Sequence, residues 1–162
     1  MAGCCQVSAS EEPAVNVCPR SGTRGTAVEI QTVKALLTEA ALRRLSRSSH
    51  SFCPDADCEM VYFDAEGAAY TKADVRVPVW QKDPFGNRLV CYCFDENERD
   101  IRAEIEAQGR SEAVKRVRDH IAAGRCACEI RNPRGVCCLG DVAAAVKRVE
   151  STVRLISSKA EA

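Results

Sequence analysis

The chain has 162 residues and carries 23 Lys and Arg against 23 Asp and Glu, so its formal net charge is zero. That balance argues against a nucleic-acid binder built on phosphate contacts, which shows a basic excess. Only 5% of the residues are aromatic, a lean supply for a core, yet eleven are cysteines, and small lean domains are commonly stapled by disulfides or metals.

Residues 1–17 are small and polar apart from Cys4 and Cys5, show no sustained period, and read as a flexible arm. With neither a basic n-region nor an apolar h-region, this start carries no secretory signature. No apolar run approaches the length that spans a membrane. In a reducing cytoplasm, closely spaced cysteines point to metal ligation rather than to disulfides.

A compact region opens at Cys18-Pro19-Arg20-Ser21-Gly22. Thr32 is placed to cap a helix over 33–45, where Val33, Leu36, Leu37, Ala40, Ala41 and Leu45 recur at helical spacing. Three β-type segments follow: residues 59–63, a return near Ala69-Tyr70-Thr71, and the alternating Val75, Val77 and Val79. Turn signals at Glu66-Gly67 and Asp83-Pro84-Phe85-Gly86-Asn87 punctuate them, and the second is the expected boundary between modules. Tyr62, Phe63, Tyr70 and Trp80 fall on the expected sheet. With mixed charge around them they read as core rather than as a stacking platform for bases.

Beyond residue 87 the period becomes helical. Asp95 is a candidate cap for a helix over 97–108, with Ile101 and Ile105 inward and Gly109 as its stop. Ser111 starts a second helix, carrying Val114, Val117 and Ile121 on one face and stopping at Gly124. A third runs from about Leu139 to Ile156, with Val142, Val146, Val149, Val153 and Ile156 on one face. The expected fold class is α+β: an arm over 1–17, a small zinc-stabilised β-rich module over 18–86, a helical module over 87–158, and a tail over 159–162.

Cys91-Tyr92-Cys93, then Cys126-Ala127-Cys128, then Cys137-Cys138 bracket the helical stretch, and Asn132-Pro133-Arg134-Gly135 supplies a tight turn between the last two. No packing argument calls for cysteine at so many aperiodic positions. Four thiolates on short loops at helix ends are what an iron–sulfur cluster requires. Helix N-termini offer free N–H donors and a positive dipole end to an anionic cluster, and Arg125, Arg131 and Arg134 are expected to add compensating charge. Spacing alone does not choose between Cys126 and Cys128, or between Cys137 and Cys138.

On these motifs the region resembles the [2Fe–2S] domains of bacterioferritin-associated ferredoxins. More closely, residues 18 to about 142 resemble the N-terminal domain of CopZ-type copper chaperones, through residues 90–93, 126–129 and 132–140. The resemblance implies Cys91, Cys93, Cys128 and Cys138 as ligands of a [2Fe–2S] cluster, with Cys126 and Cys137 as bystander thiols. In that family a copper-binding ferredoxin-like domain with a Met-x-Cys-x-x-Cys loop is joined on. These 162 residues hold no such motif, so copper delivery as a whole is not implied.

Cys53 and Cys58 flank a short loop and, with Cys18, make three soft ligands, whereas a closed structural zinc site takes four. The family pattern Cys-Pro-x-Cys-Gly appears here as Cys18-Pro19-Arg20-Ser21-Gly22, with serine at the second cysteine. Cys4 or Cys5 of the arm, or His50, are the available fourth ligands. Cys4 is preferred, while His50 reads as an ordinary surface histidine and His120 as a surface or packing residue.

Neither histidine accompanies a nucleophile motif, no phosphate loop occurs, and the cysteine spacings do not suit thiol–disulfide exchange, so no dedicated enzyme active site is expected. The expected function is a cytoplasmic zinc and [2Fe–2S] protein, a one-electron carrier or metal-handling accessory in copper or heavy-metal homeostasis. Its expected partner is a redox or copper-handling protein, and Cu(I), a soft ion, suits the spare thiols of Cys5, Cys126 and Cys137. The rival class is a cluster-based regulator responding to redox state or metal.

Overall fold

A computed structural model describes residues 16–160. The arm cysteines Cys4 and Cys5 lie outside the described residues. Val17 forms a bridge with Arg24 and Asn16 accepts from the Gly25 N–H, so the fold takes in two residues assigned to the arm.

Strand β1 (Thr26–Val28) leads into helices α1 (Ile30–Leu36) and α2 (Glu39–Leu42). Strands β2 (His50–Phe52), β3 (Met60–Asp64) and β4 (Ala69–Thr71) follow. The four strands form one antiparallel sheet in the order β1-β2-β3-β4. The single helix expected over 33–45 is two helices. Leu37 and Thr38 are extended because they pair with the 74–76 segment: Leu37 bridges Val75, and the Thr38 N–H donates to the Asp74 carbonyl at 2.8 Å. The break buries Leu37 completely and makes Thr38 the cap of α2, its hydroxyl accepting from the Ala41 N–H. Thr32, expected as the cap, sits inside α1, buried.

The strand expected over Val75–Val79 does not form. A 3-10 turn over Lys72–Asp74, closed by reciprocal Thr71 and Asp74 hydrogen bonds, precedes it, and another over Trp80–Lys82 follows. Pro78 between them has no N–H to give a ladder. Trp80 therefore lies on a turn, not on the sheet.

A β-bulge between Met60 and Tyr62 divides the sheet's apolar residues between two cores. Val61 and Tyr62 join Val33, Leu36, Leu37, Phe52, Tyr70 and Val79 on one side. Met60 and Phe63 line the other side, against Cys18, Cys53 and Cys58.

The hairpin of β5 (Leu89–Cys91) and β6 (Glu96–Asn97) enters the helical part. Helices α3 (Glu98–Gln108), α4 (Ala113–Ala122), the single turn α5 (Cys128–Arg131) and α6 (Leu139–Ala160) complete the chain. Asn97, not Asp95, caps α3, accepting from the Asp100 N–H at 2.9 Å. Asp95 occupies the hairpin turn with φ +55°, a left-handed conformation that Asx residues tolerate. Gly109 ends α3 as expected.

Ile101, Ile105, Ala113, Val117, Val142, Ala145, Val146 and Val149 form the helical core, which ends against Cys91, Cys128 and Cys138. Ile156, expected inward, is 58% exposed. Helix α3 stops at Gln108, and the last turns of α6 run on without cover among the described residues. Arg116 of α4 clamps this part: its guanidinium makes two 2.8 Å hydrogen bonds to the buried Glu96 carboxylate and an ion pair with Glu104.

Two hydrogen bonds join the β-rich part to α5 and the loop that follows it, one from the sheet and one from α1. The Tyr62 hydroxyl donates to the Pro133 carbonyl at 2.7 Å, and the Thr32 hydroxyl donates to the Glu129 carbonyl at 2.6 Å.

Two candidate metal centres

The first centre is built by two tight loops. Val17 and Arg24 bridge around a turn in which the Gly22 N–H donates to the Cys18 carbonyl, aiming the Cys18 thiol inward. Cys53 continues β2, its N–H donating to Val61, and the chain then turns at Asp55, whose carboxylate accepts from the Asp57 N–H. The buried Lys82 ammonium caps the Asp55 carbonyl at 2.6 Å.

The sulfurs of Cys18, Cys53 and Cys58 all lie within 4.8 Å of one another, and Cys18 and Cys58 are 3.9 Å apart. Two thiolates on one tetrahedral zinc, each about 2.3 Å from it, sit about 3.8 Å apart. Distance and donor chemistry both fit a zinc ion.

Burial pushes the Cys18 thiol up, but hydrogen bonds from the Ser21 hydroxyl, the Ser21 and Arg20 backbone and Cys53 outweigh it and bring it down to about 7. Burial wins at Cys53, which is raised. His50 is not a surface residue. It is buried on β2, beside the Tyr70 ring at 5.8 Å, with neither ring nitrogen hydrogen-bonded. Strand alternation turns His50 and Phe52 to the face opposite Cys53, away from the thiols.

The second centre draws on three segments. Cys91 ends β5 and Cys93 sits in the hairpin turn, so a β-hairpin sets this pair rather than a loop at a helix end. Cys128 begins α5. Cys138 immediately precedes α6, its carbonyl accepting from the Val142 N–H. The sulfurs fall into two sets: Cys91 and Cys138 at 2.9 Å, and Cys93 and Cys128 at 3.7 Å. Cys126 stands beside the second set, 3.3 Å from Cys128. Cys138 is buried, whereas the adjacent Cys137 is exposed. The nine described cysteines are all free thiols.

Backbone donors converge on these sulfurs. The Ala127 N–H reaches Cys93 at 3.4 Å, and the backbone of Cys93 and Phe94 favours the Cys91 thiolate, as that of Cys138 favours the Cys128 thiolate. Such a nest of N–H groups stabilises negative sulfur. The hydrogen bond from Cys138 leads in lowering Cys91 to about 7 against its burial. The shared proton and burial drive Cys138 up, and burial drives Cys93 and Cys128 up.

The arginines contribute less than expected. Arg131 reaches the Cys93 carbonyl at 3.5 Å, but Arg125 is 3.1 Å from the His120 ring, itself stacked on Phe94, and Arg134 pairs with Asp141. Composition flags arginine near cysteine, while the N–H nest and the clamping residues Tyr62, Thr32 and Lys82 leave no signature in spacing. For Ser21 the signal was present, as the serine interrupting a cysteine pattern.

No helix among the described residues is long and apolar enough to cross a membrane. No curated protein matches the chain. Residues 15–76 match the family model of a CopZ zinc binding domain. Among solved structures, the N-terminal domain of Archaeoglobus fulgidus CopZ is similar, with 29% identity and a TM-score of 0.62 over 75% of this chain and 91% of that one. The chain is thus an α+β protein with a CopZ-like, β-rich N-terminal region, and its zinc-binding-type domain carries a three-cysteine site.

Proposed function

We propose that the chain holds zinc at Cys18, Cys53 and Cys58 and a [2Fe–2S] cluster at Cys91, Cys93, Cys128 and Cys138. On this reading it serves metal handling as a one-electron carrier or accessory protein in copper or heavy-metal homeostasis. The observation that carries the cluster reading is the pairing of sulfurs, Cys91 with Cys138 and Cys93 with Cys128. A [2Fe–2S] core needs two thiolates on each iron, and two pairs drawn from a hairpin and two loops supply them. Burial favours Cys138 over the exposed Cys137, and Cys128 over the half-buried Cys126.

Bound there, the cluster would supply one-electron chemistry. The chain's own part is to hold the sulfurs, stabilise their charge with the backbone N–H nest and keep water from Cys91 and Cys138. The zinc loops would fix the sheet, against which the cluster loop rests through Tyr62, while Thr32 of α1 holds α5. Similarity to a CopZ domain and the soft thiolate donors favour copper or a like ion as the metal served.

Anaerobic purification with metal and sulfide analysis tests the reading. It expects two irons, two sulfides and one zinc per chain, visible absorption, and one reversible one-electron wave. Exchanging Cys91 or Cys138 for serine should bleach the protein, whereas Cys137→Ser should not. Colourless, iron-free wild-type material would refute the cluster.

A further inference from the structure

Among the described residues, no fourth cysteine, histidine or carboxylate joins Cys18, Cys53 and Cys58 in a ligand group. What stands beside them is the Ser21 hydroxyl, 3.5 Å from the Cys53 sulfur. It also accepts from the Thr23 N–H at 3.3 Å. A neutral hydroxyl is a weak zinc donor beside thiolates, and this one already meets a sulfur and an amide, which leaves it one further hydrogen bond to make. On the same side a cleft of about 250 Å³, lined by Arg20, Ser21, Asp55, Asp57 and Cys58, opens to solvent. Of the three thiols only Cys58 borders that cleft; Cys18 and Cys53 are closed off from solvent, at 1% and 0% exposure.

From these contacts we propose that the fourth coordination position of this site is open to an exogenous ligand, oriented by Ser21, rather than filled by the protein. This rests on the zinc reading given above and adds a role to it. Structural zinc sites are closed by four protein ligands, while sites that must exchange a ligand keep three and leave one position open. With zinc bound, the resting occupant would be a water, which the Ser21 hydroxyl stands ready to hold. A thiolate entering through the cleft replaces that water, with no change of oxidation state. The site is then a place where metal is taken up or handed on through thiolate exchange, and not only a staple for the sheet.

Zinc K-edge absorption of the full chain, purified with its metals, reads the coordination shell directly. The proposal expects three sulfurs at about 2.3 Å and one lighter atom at about 2.0–2.2 Å. Changing both Cys4 and Cys5 to serine should leave that shell and the rate of zinc release to a chelator unchanged. Ser21→Cys should give four sulfurs and slow release at least about tenfold, the scale on which coordination partners tune metal affinity. Four sulfurs in the wild type, falling to three when Cys4 and Cys5 are changed, would overturn the open position while leaving zinc binding intact. A zinc-free chain would overturn the zinc reading itself.

Discussion

The buried phenol of Tyr62, on the sheet that carries the zinc-site loop, donates a 2.7 Å hydrogen bond to the carbonyl of Pro133, in the loop between Cys128 and Cys138. The two residues are 71 positions apart in sequence, and the bond ties the two candidate metal centres into one structure. Burial drives the Tyr62 phenol far above its ordinary range, so it stays protonated and keeps donating across any practical pH.

Tyr62→Phe removes that donor and leaves the Pro133 carbonyl buried without a partner. The expected cost is about 1–3 kcal/mol of unfolding free energy, read as a lower urea midpoint at unchanged slope. Amide exchange should quicken over residues 129–138 more than over α3. An unchanged midpoint would show that the bond does not hold the loop.

Gly135 sits in the same loop with φ +68°, and a Cβ there would lie 2.9 Å from the Thr32 hydroxyl oxygen. That hydroxyl is already committed to Glu129. Gly135→Ala therefore combines left-handed strain with overpacking, about 2–5 kcal/mol together. Gly109→Ala, with φ +75° and open space around it, should cost only the strain, about 1–2 kcal/mol. Thermal melts of the two variants should rank in that order, and equal losses would remove the steric part of the argument.

In the metal-stripped, reduced protein, thiols should shape stability against pH. Cys18 and Cys91 titrate near 7 in the folded chain, below their ordinary value of 9.0. Between about 7 and 9 the unfolded chain thus binds more protons at these groups, and stability rises with pH. Cys53, Cys93, Cys128 and Cys138 are raised, so above 9 the folded chain retains protons that the unfolded chain sheds, and stability falls. Urea midpoints should peak near pH 9. A steady decline from pH 7 upward would contradict these shifts.

Much of the helical half was legible in sequence, because α3, α4 and α6 keep an apolar face at the helical period and α3 ends at a glycine. The β-rich half was less so. The break at Leu37 and Thr38 depends on pairing with residues 74–76, and a local window over 33–45 sees only continuous helical spacing. Thr38 before Glu39 was an available cap signal. The hairpin holding Cys91 and Cys93 was missed because its strands are too short to show alternation.

By itself, the sequence determined which atoms are on offer: soft sulfur donors in pairs, a neutral overall charge, and a serine interrupting one pair. Local chemistry and spacing suffice for that. Tertiary structure decided which of those sulfurs meet. It buried Cys138 and exposed Cys137, turned His50 to the far face of its strand, and set Ser21 against Cys53. Those choices rest on strand alternation, loop closure and contacts such as Tyr62 with Pro133, which join residues that no local pattern relates.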